Sequence, residues 1–340
     1  MSRPRLLAVG RGPPASGYAR VLDSLLGALT GAFEVTLFSV AEYGPPARRD
    51  FAVRGNELMG DVYGREQLPG LLRAVDPDVI LVHGDANLFS IHADAIGRHR
   101  RERPGVRSAV YCPIDWPELP SPVAAALARA DAVALYTEFG RDLLRRSLGE
   151  LGLAEPALDV IPHPVDTTAF AGVPGARRRV LGDRHAGAFV VLNANRNIRR
   201  KRLDLTLRGF AEFARDRPDA VLYLHSGPAD RGYDLTGLAR ELGIAERMVV
   251  TPHEGRRPRV SDERLNLVYN ACDVGLNTAD AEGFGLVAFE HAATGAAQVV
   301  PDHGPCAELW DGNALLTANE PGAVAAALGR LYDDPALRAD

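Results

Sequence analysis

Short apolar runs alternate with amphipathic stretches along most of this chain. Short apolar runs bounded by turn residues predict buried strands, whereas apolar positions three and four apart predict helices with one buried face. Strands that alternate with helices form a parallel sheet covered by those helices, so we predict an α/β fold. In the first half the predicted strands are 5–9, 33–38, 79–83, 108–112, 132–136 and 158–161, and the predicted helices are 18–29, 65–75, 87–101, 122–130 and 138–148.

The second half repeats the same alternation after a break rich in proline and glycine. The segment 42–64, with Gly44-Pro45-Pro46, fits neither period and is left unassigned. In the second half the predicted strands are 188–192, 220–225, 248–251, 273–277 and 298–300, and the predicted helices are 203–216, 235–242, 262–269, 284–294 and 323–332.

The length of 340 residues is too great for one ordinary core, so two domains are expected. The stretch DVIPHPVDTTAF at 159–170 closes the first domain, and AGVPGARRR after it is typical of a linker. We therefore predict domains at 1–166 and 181–340, joined by a hinge at 167–180.

Composition limits the class of protein further. With 46% hydrophobic and 24% charged residues the chain is expected to be soluble, and its net charge of −5 gives no support for nucleic-acid binding. The three cysteines are scattered without metal-ligand spacing, which favours a reducing cytoplasm and no metal. The first apolar run is too short for a signal peptide, and no run approaches a membrane span. Peripheral contact with the inner membrane face stays open.

The stretch NTADAEGFGLVAFEHAATG at 277–295 carries candidate chemistry. It follows a predicted strand, crosses a polar loop and enters a helix near Phe284. Glu282 and Glu290 stand eight positions apart, with Gly283 and Gly285 beside the first. Glycine backbone at a helix start offers free N–H groups to a phosphate. Glu290 is placed to accept hydrogen bonds from a ribose diol and Glu282 to reach a sugar, so the stretch suits a nucleotide-sugar.

A basic cluster follows the predicted strand 188–192, in the sequence NANRNIRRKR. It contains Arg196, Arg200 and Lys201, and Lys201 is the only lysine of the chain although Lys and Arg together number 39. Cations at a helix start oppose the helix dipole, and an anionic ligand would remove that conflict. A nucleoside diphosphate leaving group is such an anion, because cleavage of its bond to a sugar adds negative charge.

These residues resemble motifs of the retaining glycosyltransferases of family 4, also called glycosyl transferases group 1. Glu282 and Glu290 in EGFGLVAFEHA are similar to the family's E-x7-E motif, and Arg196 and Lys201 to its Arg…Lys pair against the donor pyrophosphate. The resemblance is strong from about 160 to 309 and loose over the first half. It implies the GT-B fold, in which two Rossmann-like domains face a cleft. The first would bind the acceptor and the second the nucleotide-sugar donor.

The resemblance also implies roles for first-domain loops and for the base. Gly17 would open the helix after a loop near the donor phosphate, and His253 would lie near the base. Asp115, in YCPIDW, stands where the family often has a histidine that contacts the donor sugar, and His83 is an alternative for that part. The expected catalytic residues are Arg196, Lys201, Glu282 and Asp115, and the expected donor-binding residues are Gly17, Arg200, His253, Gly283, Phe284, Gly285, Leu286 and Glu290.

The expected reaction is the retaining transfer of a sugar from a nucleoside diphosphate sugar to a hydroxyl acceptor, without a cofactor. The acceptor is a glycan, a lipid-linked molecule or a small molecule. No Asp-x-Asp stands where it could bind a metal against the pyrophosphate, so basic residues would replace the metal. Family 4 proteins usually continue past the last predicted helix, so the end of this chain at 340 is read as an abbreviated or truncated terminal helix.

Three other functions remain as alternatives. The turn from Gly10 to Ala15 formally matches the dinucleotide fingerprint G-x-G-x-x-G/A, but Pro13 and Pro14 remove two backbone donors that a pyrophosphate would need, which disfavours a dehydrogenase. A nucleotide-sugar epimerase or a phosphorylase of similar build would act without an acceptor alcohol. A non-catalytic partner would bind the donor and turn nothing over.

Overall fold

The structure is a computed structural model that describes residues 2–12, 17–40, 49–256 and 258–339. The chain divides into two compact units, Met1–His163 and Pro164–Asp340. Both units are α/β with parallel sheets, which confirms the predicted fold class. Pro13, Pro14 and Ala15 of the possible dinucleotide fingerprint and residues 42–48 of the unassigned segment 42–64 lie outside the described residues.

The first unit has, within the described residues, a seven-stranded sheet in which every strand pair is parallel. Its strands are β1 (Arg5–Gly10), β2 (Glu34–Ser39), β3 (Ala52–Gly55), β4 (Val79–His83), β5 (Arg107–Cys112), β6 (Ala132–Leu135) and β7 (Ala157–Val160), in the order β3-β2-β1-β4-β5-β6-β7. The helices are α1 (Gly17–Leu29), α2 (Leu68–Val75), α3 (Ala86–Glu102), α4 (Ser121–Leu127) and α5 (Glu138–Glu150).

Both faces of this sheet are buried, as alternate residues of β1 show. Leu7 and Val9 pack into the apolar core on one face, and Leu6 and Ala8 pack with α1 on the other. Side chains of a strand point alternately to opposite faces, so a strand that is apolar throughout needs helices on both sides. β3 was not predicted because this edge strand reads Ala-Val-Arg-Gly and its side chains are only partly buried.

The second unit has a six-stranded, fully parallel sheet within the described residues. Its strands are β8 (Phe189–Asn193), β9 (Ala220–Leu224), β10 (Met248–Val250), β11 (Val274–Leu276), β12 (Ala297–Pro301) and β13 (Leu315–Thr317), in the order β10-β9-β8-β11-β12-β13. The helices are α6 (Ala176–Leu181), α7 (Leu203–Phe213), α8 (Leu235–Glu241), α9 (Asp262–Asn270), α10 (Leu286–Ala292), α11 (Gly304–Trp310), α12 (Pro321–Asp333) and α13 (Pro335–Ala339).

The segment AGVPGARRR, predicted as linker, includes the first residues of the helix α6. The side chain of Arg177 in this helix is hydrogen-bonded to other parts of the second unit. The Arg177 guanidinium donates to the Ala271 and Ala188 carbonyls, both at 3.0 Å, and to Asp273 Oδ1 at 2.6 Å. The run of three arginines is typical of a solvated segment, and the pattern alone does not reveal these buried acceptors. β13, α11 and α13 were also not predicted, because each is short.

The strand order of the second sheet reverses direction at β8. From β8 the chain continues outward to β9 and β10, and then returns to β11 on the other side of β8 before continuing to β12 and β13. In open parallel sheets, ligands bind at the carboxyl ends of the two strands that flank such a switch point. The loops that follow β8 and β11 are therefore the expected ligand-binding loops of this unit.

Candidate functional site

The loops after β8 and β11 are joined by a buried polar network. Asn193 at the end of β8 donates to Thr206 Oγ1 of α7 at 2.8 Å, and the Thr206 and Thr278 hydroxyls lie 2.7 Å apart. Thr278 Oγ1, in the loop after β11, donates to the Arg202 carbonyl at 2.9 Å. All three polar side chains are fully buried. Because a buried polar group without a partner costs free energy, these bonds hold the two loops in one arrangement.

Lys201 and Glu282 form an ion pair at the switch point. Lys201 lies on the single turn Arg199–Lys201 after β8, and its Nζ donates to Glu282 Oε2 in the loop after β11. The two side chains are 9% and 11% exposed. A buried charge needs a partner, and each residue supplies that partner for the other. The two residues that the sequence analysis assigned to one site are therefore in direct contact, and their catalytic roles stay a prediction.

The ion pair affects the pKa of both partners. Burial lowers the pKa of Lys201, and the Glu282 carboxylate opposes that shift without cancelling it. Burial raises the pKa of Glu282, but the charges of Lys201 and Arg200 outweigh it and leave the pKa below its usual value. The Asn277 side chain also donates to the Glu282 carboxylate. The carboxylate is therefore ionised at neutral pH.

Arg200 adds a second cation beside the pair. Its Nη1 donates to the Ala281 carbonyl at 2.5 Å, and its own carbonyl accepts from the Asp280 amide at 2.8 Å. The charges of Lys201 and Arg200 both act on the Glu282 carboxylate and lower its pKa. Two basic side chains and one carboxylate thus lie together at this end of the sheet.

Arg196 lies in the same loop but is paired elsewhere. Its Nε donates to Asp230 Oδ2 at 2.6 Å, and its Nη2 lies 3.4 Å from Asp230 Oδ1. Asp230 follows β9 and its side chain is fully buried, whereas the Arg196 side chain is 38% exposed. The structure therefore brings Lys201, Arg200 and Glu282 together and holds Arg196 toward the β9 loop.

The backbone turns sharply between Glu282 and α10. Gly285 has a φ of +86° and precedes the first residue of α10, Leu286, so the helix begins two residues later than the predicted start at Phe284. A Cβ at Gly285 would stand 3.3 Å from Glu282 Cγ. Phe284 is buried and stacks on Phe289, while Gly283 lies between it and Glu282. These residues form one continuous turn beside the ion pair.

Glu290 lies in the second turn of α10 and points into the second unit. It is 4% exposed, and its Oε2 accepts a hydrogen bond from the Tyr269 hydroxyl of α9 at 2.9 Å. His291 beside it is fully buried, and burial lowers its pKa to about 4. The Glu290 carboxylate is thus turned toward α9, and its sequence-based assignment to a ribose diol stays a prediction.

His253 follows β10, two strands away from β8 along the same sheet edge. Its Nδ1 donates to the Thr251 carbonyl at 2.9 Å, and His225, which follows β9, approaches the Thr251 hydroxyl at the same distance. The imidazoles of His225 and His253 thus share one threonine. His225 was not singled out from the sequence, although a histidine directly after a buried strand is a usable signal.

Gly17, Asp115 and the alternative His83 lie in the first unit. Gly17 is the exposed first residue of α1, and Asp115 is half-buried after β5. His83 ends β4 with a fully buried ring, and the Tyr136 hydroxyl lies 3.2 Å from its Nε2. Burial and the nearby His163 lower the pKa of His83 to about 3, so it is a neutral imidazole. β4 flanks β1 at the switch point of the first sheet.

Sequence reasoning did not identify the residues that support the site. Asn193, Asn195, Asn277 and Thr278 are buried polar residues at the ends of β8 and β11. Asn195 Nδ2 lies 3.4 Å from Asn277 Oδ1, which also accepts from the Ala279 amide at 3.1 Å. The signal that the sequence did offer is the repeated asparagine in NANRN at the end of the apolar strand β8. A similar polar pair, Asn-Thr, directly follows the strand β11.

Two parallel-sheet α/β units with a charged site at a switch point place the chain in the GT-B class of folds. Sucrose-phosphate synthase from Thermosynechococcus elongatus superimposes with a TM-score of 0.79 at 19% identity, over 99% of this chain and 91% of that one. Anabaena Alr3699/HepE in complex with UDP and glucose gives a TM-score of 0.77 at 18% identity, over 99% of this chain and 92% of that one. At this level of identity the likeness shows the fold.

The chain belongs to the glycosyl transferases group 1, whose family model matches residues 188–334. The resemblance stated from the sequence is thereby confirmed. A D-inositol 3-phosphate glycosyltransferase from Kineococcus radiotolerans is 32% identical over 312 residues, 84% of this chain and 66% of the relative. A GDP-mannose-dependent alpha-(1-6)-phosphatidylinositol monomannoside mannosyltransferase from Mycolicibacterium smegmatis is 29% identical over 65% of this chain and 59% of the relative.

The chain therefore spans less than two thirds of the length of these two curated relatives. Among the described residues, none of the helices has the length and apolar character needed to cross a membrane.

Proposed function

We propose that this chain transfers a sugar from a nucleoside diphosphate sugar to an acceptor hydroxyl, with retention of configuration and without a metal. The observation that carries the proposal is the buried pair of Lys201 and Glu282 at the switch point of the second sheet. The pair stands where parallel sheets bind ligands, and Lys201 and Arg200 are cations of the kind that a diphosphate binds. Family membership supports the same reaction class.

The proposed chemistry follows from the charge that develops on the leaving group. As the bond between the anomeric carbon and the phosphate oxygen breaks, negative charge grows on the diphosphate. Lys201 and Arg200 stabilise that charge more in the transition state than in the ground state, which lowers the barrier. Glu282 holds the Lys201 ammonium in place before the donor binds, so that little reorganisation is needed. Arg196 contributes its guanidinium from the loop beside Asp230.

Retention follows from attack on the face that the leaving group vacates. The acceptor oxygen forms the new bond to the anomeric carbon, and its proton passes to the departing phosphate oxygen, which is then the nearest base. The step needs no protein nucleophile and balances without a further reactant. Fixed cations take the part that a metal ion has in other transferases, which is the basis for the metal-independent proposal.

The donor contacts are assigned to the second unit. The turn of Gly283, Phe284, Gly285 and Leu286 would contact the phosphates or sugar, and Glu290 would accept from the ribose diol. The base would lie toward His253. One relative is named for its use of GDP-mannose, and one structural neighbour is a complex with UDP and glucose, so together they support a nucleotide-sugar donor without selecting the base.

Acceptor binding is assigned to the first unit, and the proposed hinge is 167–180. The roles toward the donor that the sequence assigned to Asp115 and Gly17 stay predictions. The names of two relatives contain inositol 3-phosphate and a phosphatidylinositol mannoside, which supports a polyol or lipid-linked acceptor. A cytoplasmic location, with peripheral contact at the inner membrane face, fits such acceptors.

The test is acceptor-dependent release of nucleoside diphosphate in the presence of a chelator. The full chain is incubated with UDP-, GDP-, ADP- and TDP-sugars, with and without inositol phosphate or a lipid-linked polyol. Release that requires an acceptor and gives a product of retained anomeric configuration is expected. Conversion of the donor to an isomeric nucleotide-sugar would favour an epimerase, and phosphate-dependent cleavage of a glucan would favour a phosphorylase. Donor binding without turnover would favour a non-catalytic partner.

A variant series connects turnover to the site. Lys201→Met retains the side-chain volume and removes the charge, and should lower kcat/KM about 10²- to 10³-fold, the scale of losing one key charge contact. Arg208→Ala, on the exposed face of α7, is the matched control and should leave kcat/KM unchanged. Equal activity of the two variants would overturn the assigned role of Lys201.

A further inference from the structure

A second polar cluster lies along the same sheet edge, at the carboxyl ends of β9 and β10. His225 directly follows β9, and Thr251 directly follows β10, with His253 two residues further on. His225 Nδ1 lies 2.9 Å from Thr251 Oγ1, and His253 Nδ1 lies 2.9 Å from the Thr251 carbonyl oxygen. One threonine therefore orients both imidazole rings.

The hydrogen bonds determine which nitrogen of each neutral ring carries the proton. The Thr251 hydroxyl has one proton and donates it to Tyr223 Oη at 3.0 Å, so toward His225 it can only accept. His225 Nδ1 must then be the protonated nitrogen. The Thr251 carbonyl also only accepts, so His253 Nδ1 is protonated as well. A neutral imidazole has a single N–H, so the neutral form of each ring with this tautomer has Nε2 as an acceptor.

Both acceptors are available to a ligand. Burial, with a contribution from His253, lowers the pKa of His225 to about 4, so its ring is neutral at pH 7. Both side chains are partly exposed, and the hydrogen bonds given for the two rings within the described part of the chain involve their Nδ1 atoms. Both rings contact Thr251, His225 through its hydroxyl and His253 through its carbonyl, so they are neighbours. Two neighbouring acceptors match a ligand that presents two neighbouring donors.

The location fits the base of a nucleotide whose diphosphate is held at the switch point. β9 is adjacent to β8 and β10 is adjacent to β9, so the cluster lies along the edge on which Lys201 stands. Neighbouring strands are about 4.8 Å apart, which places β10 about 10 Å from β8. A nucleoside diphosphate with its phosphates at Lys201 spans a distance of this order.

Nucleobases differ in the donors of their pairing edge. Guanine presents two adjacent donors, the N1–H and the 2-amino group. Uracil presents a single N3–H between two carbonyl acceptors. One of these carbonyl oxygens would face an Nε2 lone pair, and two acceptors that face each other repel. Adenine presents one amino donor beside the acceptor N1. Only guanine among these three offers a donor to each histidine.

We propose that His225 Nε2 and His253 Nε2 accept hydrogen bonds from the pairing edge of guanine, and that the chain therefore selects guanosine diphosphate sugars as donors. This inference rests on the proposed function, because the diphosphate at Lys201 fixes where the base lies. It makes the two histidines specificity-determining residues of the donor site.

The test is calorimetric binding of GDP, IDP, UDP and ADP to the full chain. IDP has the same ring system as GDP but lacks the 2-amino group, so it removes one donor only. GDP should bind most tightly, with IDP about threefold to tenfold weaker, the value of one hydrogen bond. UDP and ADP should bind more weakly than GDP by at least the same factor.

Histidine variants then test the two acceptors. Of the two variants His225→Ala and His253→Ala, one should bring the GDP-to-IDP affinity ratio close to one, because it lacks the acceptor for the 2-amino group. The other should weaken GDP and IDP alike. His253→Gln, which keeps an acceptor oxygen, should retain part of the preference. His185→Ala, on the turn before β8 at its opposite end, is the control and should leave the ratio unchanged. Thermal denaturation of each variant checks that it is folded.

The outcomes separate this inference from the proposed function. If UDP or ADP bind as tightly as GDP, or if the GDP-to-IDP ratio is the same in all variants, the guanine assignment is wrong. In that case, binding that is weakened by Lys201→Met still supports the proposed function. If none of the four nucleotides binds, both the guanine assignment and the proposed function fall.

Discussion

Lys201 and Glu282 form a buried ion pair that joins two loops 81 positions apart in the sequence. Burying each charge is costly, and only its partner compensates for that cost. A pair in this situation is weak evidence for stability but strong evidence for a specific arrangement. Here the arrangement places an ammonium and a carboxylate at the ends of β8 and β11, where a ligand of the second sheet would bind.

A double-mutant cycle should show the dependence of each charge on the other. Lys201→Met leaves the Glu282 carboxylate buried without its cation and should lower the free energy of unfolding by about 3–5 kcal/mol. Adding Glu282→Gln removes the remaining charge and should restore most of that loss. Urea unfolding of the four proteins measures both values. A double variant as unstable as Lys201→Met alone would contradict the pairing. Kinetic assays should find the double variant inactive although it is stable.

The buried histidines should make the chain unstable at mildly acidic pH. Burial is the main cause that lowers the pKa of His83 to about 3 and those of His92, His163, His225 and His291 to about 4. The unfolded chain binds protons at these sites near pH 6.5, and the folded chain does not until pH 4 or below. Stability is therefore full above pH 6.5 and is lost as the pH falls toward 4.

Urea unfolding at pH 7.0, 6.0 and 5.0 measures this loss. Each histidine contributes up to about 1.4 kcal/mol per pH unit in that window. In His92→Gln, the slope between pH 6 and 5 should be smaller than in the unmodified chain by one histidine's share. A free energy of unfolding that stays constant from pH 7 to 5 would contradict the neutral state of these rings.

Gly285→Ala should disturb the turn that carries Glu282. The φ of +86° favours glycine, and the added Cβ would stand 3.3 Å from Glu282 Cγ. We expect a loss of about 1–2 kcal/mol in the free energy of unfolding. We also expect weaker donor binding, because the carboxylate moves. Gly149→Ala is the control: this glycine lies within α5 with open space around it, so alanine should stabilise the helix by about 0.5–1 kcal/mol. Equal effects of the two substitutions would contradict the constraint at Gly285.

The fold was largely predictable, because apolar periodicity reports burial directly. The predicted strand 79–83 coincides with β4, and most other predicted strands and helices overlap their observed counterparts closely. β3 and β13 escaped prediction because short edge strands are only half-covered and need no apolar run. The helix α6 escaped because three arginines suggest solvent, whereas Arg177 is held by carbonyls and a carboxylate that are distant in sequence.

The site was predictable only where one loop carries its own signal. The basic loop and the two glutamates were each visible in the sequence, and topology brought Lys201 to Glu282. The engagement of Arg196 by Asp230 was not visible, since the two residues are 34 positions apart and no pattern links them. The asparagine and threonine network has the same character, because hydrogen bonds between loops leave no periodic trace in a sequence.

Thr206→Val should show whether the hydrogen bonds of Thr206 position the site residues, since Thr206 itself has no proposed role in the chemistry. The Thr206 hydroxyl bonds Asn193 Nδ2 at 2.8 Å and Thr278 Oγ1 at 2.7 Å, so valine removes the acceptor of the buried Asn193 amide and the link to Thr278. The expected cost is about 1–3 kcal/mol in the free energy of unfolding, measured by urea titration. Because the loops after β8 and β11 lose their common tie, donor affinity should fall as well. Thr206→Ser keeps the hydroxyl and should recover donor affinity even though it loses a buried methyl group. If serine and valine weaken donor binding equally, the methyl group rather than the hydroxyl network positions Lys201 against Glu282.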